Sequence, residues 1–175
     1  PQDVKTAPFR ATGPTDDGRI QPDITGIGVD LYSTNSTGNA DYFSISGTSM
    51  ASPNVTGNIA LLQQHFNRLN ASFMKSATTR ALVIHTAKEA GNAPGPDYKH
   101  GWGLLDSKKA AEVISVRNKY SLLREETLEN GSLKEIDLVA SGNEPLKVTI
   151  AWTDPRPAVL YNPHVLDDHA KMLVK

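Results

Sequence analysis

Apolar residues recur at helical spacing downstream of position 49. Val55, Ile59, Leu62 and Phe66 lie four, three and four positions apart, a single stripe that predicts a helix beginning close to Ser49. Pro53 fits only near the start of such a helix, because proline has no N–H to donate. A second helix is expected over residues 71–90, with Phe73, Ala77, Ala81, Ile84 and Ala87 facing the core and Gly91 as its stop. A third is expected to start after Asp106 as N-cap, to bury Ala110, Ala111, Val113 and Ile114, and to end near Lys119. Between the last two lies a Gly/Pro-rich loop over residues 92–100. Upstream, residues 24–32 and 42–46 read as strands leading toward Ser49. After the third helix the period shortens. Residues 133–139 and 146–152 read as strands, with Val148, Ile150 and Trp152 alternating against Lys147, Thr149 and Ala151 about a turn at Ser141, Gly142 and Asn143.

Charge and composition narrow the functional classes. Among 175 residues, 18 basic side chains face 19 acidic ones, a net charge of -1, so there is no electrostatic signature of a nucleic-acid or membrane surface. The sequence contains no cysteine, which removes disulfides and thiolate metal sites without fixing a compartment. No stretch reads as a signal peptide or membrane span.

The candidate chemistry is concentrated in Gly47-Thr48-Ser49-Met50-Ala51-Ser52-Pro53. This string sets one hydroxyl between a glycine turn and the start of an apolar helix. A serine attacks a carbonyl only when a base takes its proton and donors stabilise the oxyanion. A helix N-terminus supplies part of that help through unpaired N–H groups and the positive end of the helix dipole. Ser49 is therefore the candidate nucleophile and its own N–H a candidate oxyanion donor, with Gly47 and Thr48 supporting the turn. Taken alone, Thr48 and Ser49 read first as ordinary caps of a buried helix.

The GTSMASP string resembles, residue for residue, the nucleophile motif of subtilisin-like serine proteases. Gly13-Pro14 and Pro22-Asp23-Ile24 resemble the segment that leads to the nucleophile in that family, and Gly101-Trp102-Gly103-Leu104-Leu105-Asp106 resembles its glycine-rich ending. The resemblance covers about residues 9–115. It departs at Gly26-Ile27-Gly28, where the family commonly has Ala-Pro-Gly, and at Arg10 and Ala11, where serines are common. The implied fold is α/β, a partial parallel sheet with packed helices. Residues 1–119 are then the C-terminal part of a peptidase domain. Residues 120–175, with Ala151-Trp152-Thr153-Asp154-Pro155, resemble the beginning of the β-sandwich domain found behind some bacterial members.

The resemblance implies hydrolysis of peptide bonds through an acyl-enzyme on Ser49, on protein or peptide substrates, outside the cell or in its envelope. It implies no required cofactor, although calcium stabilises many members. The family order of the triad is Asp, His, Ser, yet all five histidines, His65, His85, His100, His164 and His169, follow Ser49. His65 lies sixteen residues farther along one helix, which at ~1.5 Å per residue is about 24 Å. Asn35 and Asn39 match no oxyanion motif of the family. His164, Asp167, Asp168 and His169 are potential metal ligands, though they read more simply as a solvated loop. The chain is thus expected to be inactive without a partner that supplies the upstream part of the domain. The competing reading is a non-catalytic pseudoprotease or interaction module.

Overall fold

A computed structural model describes residues 4–117, 121–139, 142 and 145–153 of the chain. In order, it contains β1 (Leu31–Thr34), β2 (Tyr42–Ile45), α1 (Thr48–Asn70), α2 (Ser76–Thr86) and α3 (Ser107–Ser115). The core lies where the three helices meet, built from Leu62, Phe66, Met74, Leu82, Ala110 and Ile114. Phe66 and Leu62 come from the far half of the predicted α1 stripe. Val55 and Ile59, nearer Ser49, are only half-buried.

Polar side chains fasten the helices around this core. Gln63 accepts a hydrogen bond from Met74 N (2.8 Å) and donates to Met74 O (3.0 Å) and Thr79 Oγ1 (3.1 Å), tying the α1–α2 connection to α1. On the α3 side, Ser107 Oγ donates to Asn58 Oδ1 (2.7 Å) and His65 Nε2 meets Ser115 Oγ at 2.8 Å. These bonds match groups that would otherwise be left unsatisfied at the edge of an apolar contact.

The second helix differs from its sequence expectation at both ends and in its face. Ala71 adopts a left-handed conformation (φ 53°) and closes α1 through a bond from its N–H to Asn67 O, so the following helix cannot start there. It begins at Ser76 and ends at Thr86, because Lys88 leaves to pair with Leu104. Its buried positions are Thr78, Leu82, Val83 and Thr86, whereas Phe73 is 66% exposed. Thr86 is tolerated in the interior because its hydroxyl donates to Leu82 O at 2.8 Å. The third helix keeps its predicted cap, Asp106 accepting from Lys109 N at 2.9 Å, but stops at Ser115.

The strand content is smaller than the period-2 pattern predicts. Residues 24–32 do not form one strand. They pair at two separate places: Thr25 forms an isolated parallel bridge with Leu104, and Leu31 opens an antiparallel two-stranded hairpin with β2. Leu104 is itself sandwiched, pairing with Lys88 on its other side. That slot explains Gly101 and Gly103, both at positive φ (60° and 121°), where a Cβ would overlap Pro22 O and Lys88 O respectively. Residues 133–139 and 146–152 form no strand ladder among the described residues. A lone pair of strands is marginal in water, and most of the intervening turn lies outside the described residues.

Candidate active site

The chain reaches Ser49 through a hairpin held at its base. Register pairs Leu31 with Ile45 and Thr34 with Tyr42, and Tyr32 stacks on Tyr42 diagonally across it (5.5 Å between centroids). At the open end, Asp30 sits at φ 53°; its N–H donates to Ser46 Oγ (2.8 Å), and that hydroxyl donates to Asp30 Oδ1 (3.3 Å). One residue later Gly47 N donates to Gly28 O at 2.8 Å. The backbone is thus fixed immediately before the nucleophile motif.

Gly28 and Gly26 lie against the first turns of α1. A Cβ on Gly28 would stand 2.7 Å from Gly47 O and 2.8 Å from Ala51 Cβ, and one on Gly26 would stand 3.0 Å from Ala51 O. Gly28, and Gly26 where the family commonly has alanine, therefore serve close packing of backbone on helix. The clue available in the sequence was two glycines spaced two apart and a small Ala51 at the start of the apolar stripe.

The N-cap of α1 is Gly47, in an extended conformation, rather than Thr48 or Ser49. Having no side chain, it cannot cap the first turn. Met50 N and Ala51 N both donate to Gly47 O, at 3.1 and 3.2 Å. Among the described residues the N–H groups of Thr48 and Ser49 have no acceptor, and neither does the Ser49 hydroxyl have a partner. Ser49 is exposed. The result is a free hydroxyl and a free N–H on one residue at the positive end of a 23-residue helix. Pro53 removes one more helical bond, since it has no N–H for Ser49 O.

None of the described histidines serves Ser49. His65 is engaged with Ser115. His85 sits at the end of α2, with Nδ1 3.0 Å from Thr149 Oγ1; burial, then Lys147 and Lys109, hold its pKa below the ordinary histidine value. His100 is 6% exposed, and its Nδ1 lies 3.2 Å from Asp97 Oδ2. His164, His169, Asp167 and Asp168 lie outside the described residues. Asn35 and Asn39 are in the β1–β2 loop, and the Asn35 amide is committed to Thr37 Oγ1 at 2.9 Å.

Other features of the surface lack comparable chemistry. A cavity of about 310 Å³ lined by Ile24, Ile59, Val83 and Ile84 and edged by the Arg80–Asp23 ion pair (2.8 Å) does not include Ser49. Among the described residues there is no group of three or more His, Asp or Glu side chains that could hold a metal ion. No described helix is long and apolar enough to cross a membrane.

A serine presented in this way, on a turn between a strand and a helix N-terminus in an α/β setting, has the geometry that a serine-hydrolase nucleophile requires. The comparisons make the class specific. The family model described as the subtilase family matches residues 2–103, and the chain belongs to that family. Among curated relatives, the chain is 31% identical over 161 residues to the minor extracellular protease Vpr of Bacillus subtilis, an alignment covering 73% of this chain and 20% of that protein. It is 28% identical to the PI-type proteinase of Lactococcus lactis subsp. cremoris, over 90% of this chain and 10% of the relative. A PII-type proteinase of the same subspecies is 42% identical over 63% of this chain and 6% of its own length. The chain thus spans a fifth or less of these relatives. Among solved structures, the CspB protease of Clostridium perfringens superposes with a TM-score of 0.53 at 28% identity, covering 61% of this chain and 23% of that one.

Proposed function

We propose that this chain is the nucleophile-bearing part of a subtilisin-like serine endopeptidase acting on protein or peptide substrates. The observation that carries the reading is the free hydroxyl and free N–H of Ser49 at the start of α1, within a chain of the subtilase family. In this reading Ser49 Oγ attacks the peptide carbonyl as a histidine base accepts its proton. The Ser49 N–H donates to the oxyanion, and loss of the amine leaves an acyl-enzyme that water hydrolyses. Gly47 keeps the first turn uncapped and Thr48 holds its position at N1. The base, the aspartate that orients it and any side-chain oxyanion donor are supplied by residues other than those described here.

By the same reading, residues 120–175 begin a downstream β domain, and the enzyme works outside the cell or in its envelope, as the minor extracellular protease Vpr does by its name. The reaction requires no cofactor, calcium being at most a stabilising ligand as in many family members, and neither nucleic acid nor membrane is a partner.

The test is covalent labelling by a fluorophosphonate. Alone, the 175-residue chain is expected to label at a rate indistinguishable from its Ser49→Ala variant, since loss of a triad member costs of order 10⁶ in turnover in the subtilisin example from which that magnitude comes. With the complementary N-terminal part of the domain, labelling and peptidase activity appear together and both vanish in Ser49→Ala. Rapid labelling of the chain alone would sink the dependence on a partner. Association without any labelling would favour the pseudoprotease reading instead.

A further inference from the structure

The end of α2 is completed by a segment far downstream. The last carbonyls of a helix have no intrahelical donors, and Ala87, the C-cap of α2, is extended (ψ 136°) with no capping N–H of its own. Lys147 fills the gap, its ammonium donating to His85 O. Two residues on, Thr149 Oγ1 meets His85 Nδ1 at 3.0 Å. Residues 147, 149 and 151 share one side of an extended segment, and Thr149 and Ala151 are the half-buried ones. The alternate side chains Leu146, Val148 and Ile150 are exposed.

From this geometry we infer that residues 145–153 dock on the C-terminal end of α2 through a latch of His85, Lys147 and Thr149 that opens when His85 becomes protonated. The hydrogen bond to Thr149 does not by itself decide the matter, because a hydroxyl can donate to a neutral imidazole nitrogen or accept from a protonated one. Burial of the imidazole decides it first, and the surrounding charges act in the same direction. Lys147 from the docked segment and Lys109 from α3 both act on His85, and both are cations. The carboxylate facing this group is Glu89, just past α2; it acts on Lys147 and is itself engaged by Gly95 N. A charged imidazole half-buried beside two ammonium groups is disfavoured, in keeping with the lowered pKa of His85.

The sign follows from linkage. The Lys147 ammonium brought in by docking adds to the lowering of the His85 pKa, so the docked state binds fewer protons than the released one. Docking is strongest above that ordinary value and weakens as pH falls toward the lowered one. The latch therefore holds the polar side of the segment against the peptidase part at neutral pH and releases it in mild acid. It leaves the apolar side facing away from that part.

Backbone 15N relaxation of the full 175-residue chain tests this. Between about pH 8 and about pH 5, order parameters over residues 147–151 are expected to fall from about 0.85 toward about 0.6 or lower, while those around Leu62, Phe66 and Ile114 hold. His85→Gln keeps a neutral hydrogen-bonding side chain and should abolish the pH dependence. Lys147→Met should lower the order of the segment at both pH values. Order independent of pH in the wild type, an unchanged pH dependence in His85→Gln, or parallel loss throughout the helical core would each overturn the inference. Because the readout is local order and not catalysis, it stands or falls separately from the endopeptidase reading.

Discussion

Gly28 shows how a single absent methyl positions Ser49. A Cβ at this position would stand so close to Gly47 O and Ala51 that Gly28→Ala must displace the start of α1. The expected cost is about 1–3 kcal/mol, as for other overpacking changes, readable as a lower urea midpoint. Ser49 labelling in the reconstituted domain should fall further than stability alone requires. Asp97 is a second residue with a definite sign. Burial works against its charge, but the N–H groups of His100 and Lys99 and the His100 ring outweigh that and lower its pKa. Its contribution is present above the ordinary aspartate value and is lost as pH falls through the lowered one. Asp97→Asn should therefore flatten the acid limb of the stability profile, measured as unfolding midpoint against pH, and lower the neutral plateau.

Among the elements, α1 and α3 carry the stability that holds the Ser49 turn in place. Ile114 is fully buried against the Leu62 and Phe66 face of α1, and Ile114→Ala is expected to cost about 2–5 kcal/mol. Asp106→Ala removes the cap on Lys109 N and should cost about 0.5–2 kcal/mol. Both are measurable by denaturant unfolding followed by far-UV circular dichroism. The elements were unequally legible in sequence. The stripe Val55, Ile59, Leu62, Phe66 and the cap Asp106 are local signals, and α1 and α3 begin where they indicate. The α2 stripe was misread because Ala71 carries no mark of its left-handed conformation. Thr78 and Thr86 also look polar in a list of residues, although Thr86 satisfies its own hydroxyl within the helix.

For the molecule as a whole, the downstream segment is the informative part. Its alternation was legible, but not which side would face the peptidase part: the polar side does, through Lys147 and Thr149. Ile150 is 59% exposed, so Ile150→Asp should change the stability of the helical core by no more than about 0.5 kcal/mol in thermal unfolding. A drop of several kcal/mol would mean that this side is buried instead.

The sequence by itself determined the family, the nucleophile candidate and the two helices with strong local signals, because a seven-residue motif, a 3.6-residue period and an N-cap are written in neighbouring positions. It also determined that every histidine lies downstream of Ser49. Only the tertiary structure decided that Gly47 leaves the Ser49 N–H free and that Gly26 and Gly28 admit the backbone to α1. Only it placed Leu104 between Thr25 and Lys88, and set His85 against Lys147 and Thr149. Each of these depends on groups brought together from distant positions, where the distance between atoms and the absence of a competing partner, rather than the order of residues, set the chemistry.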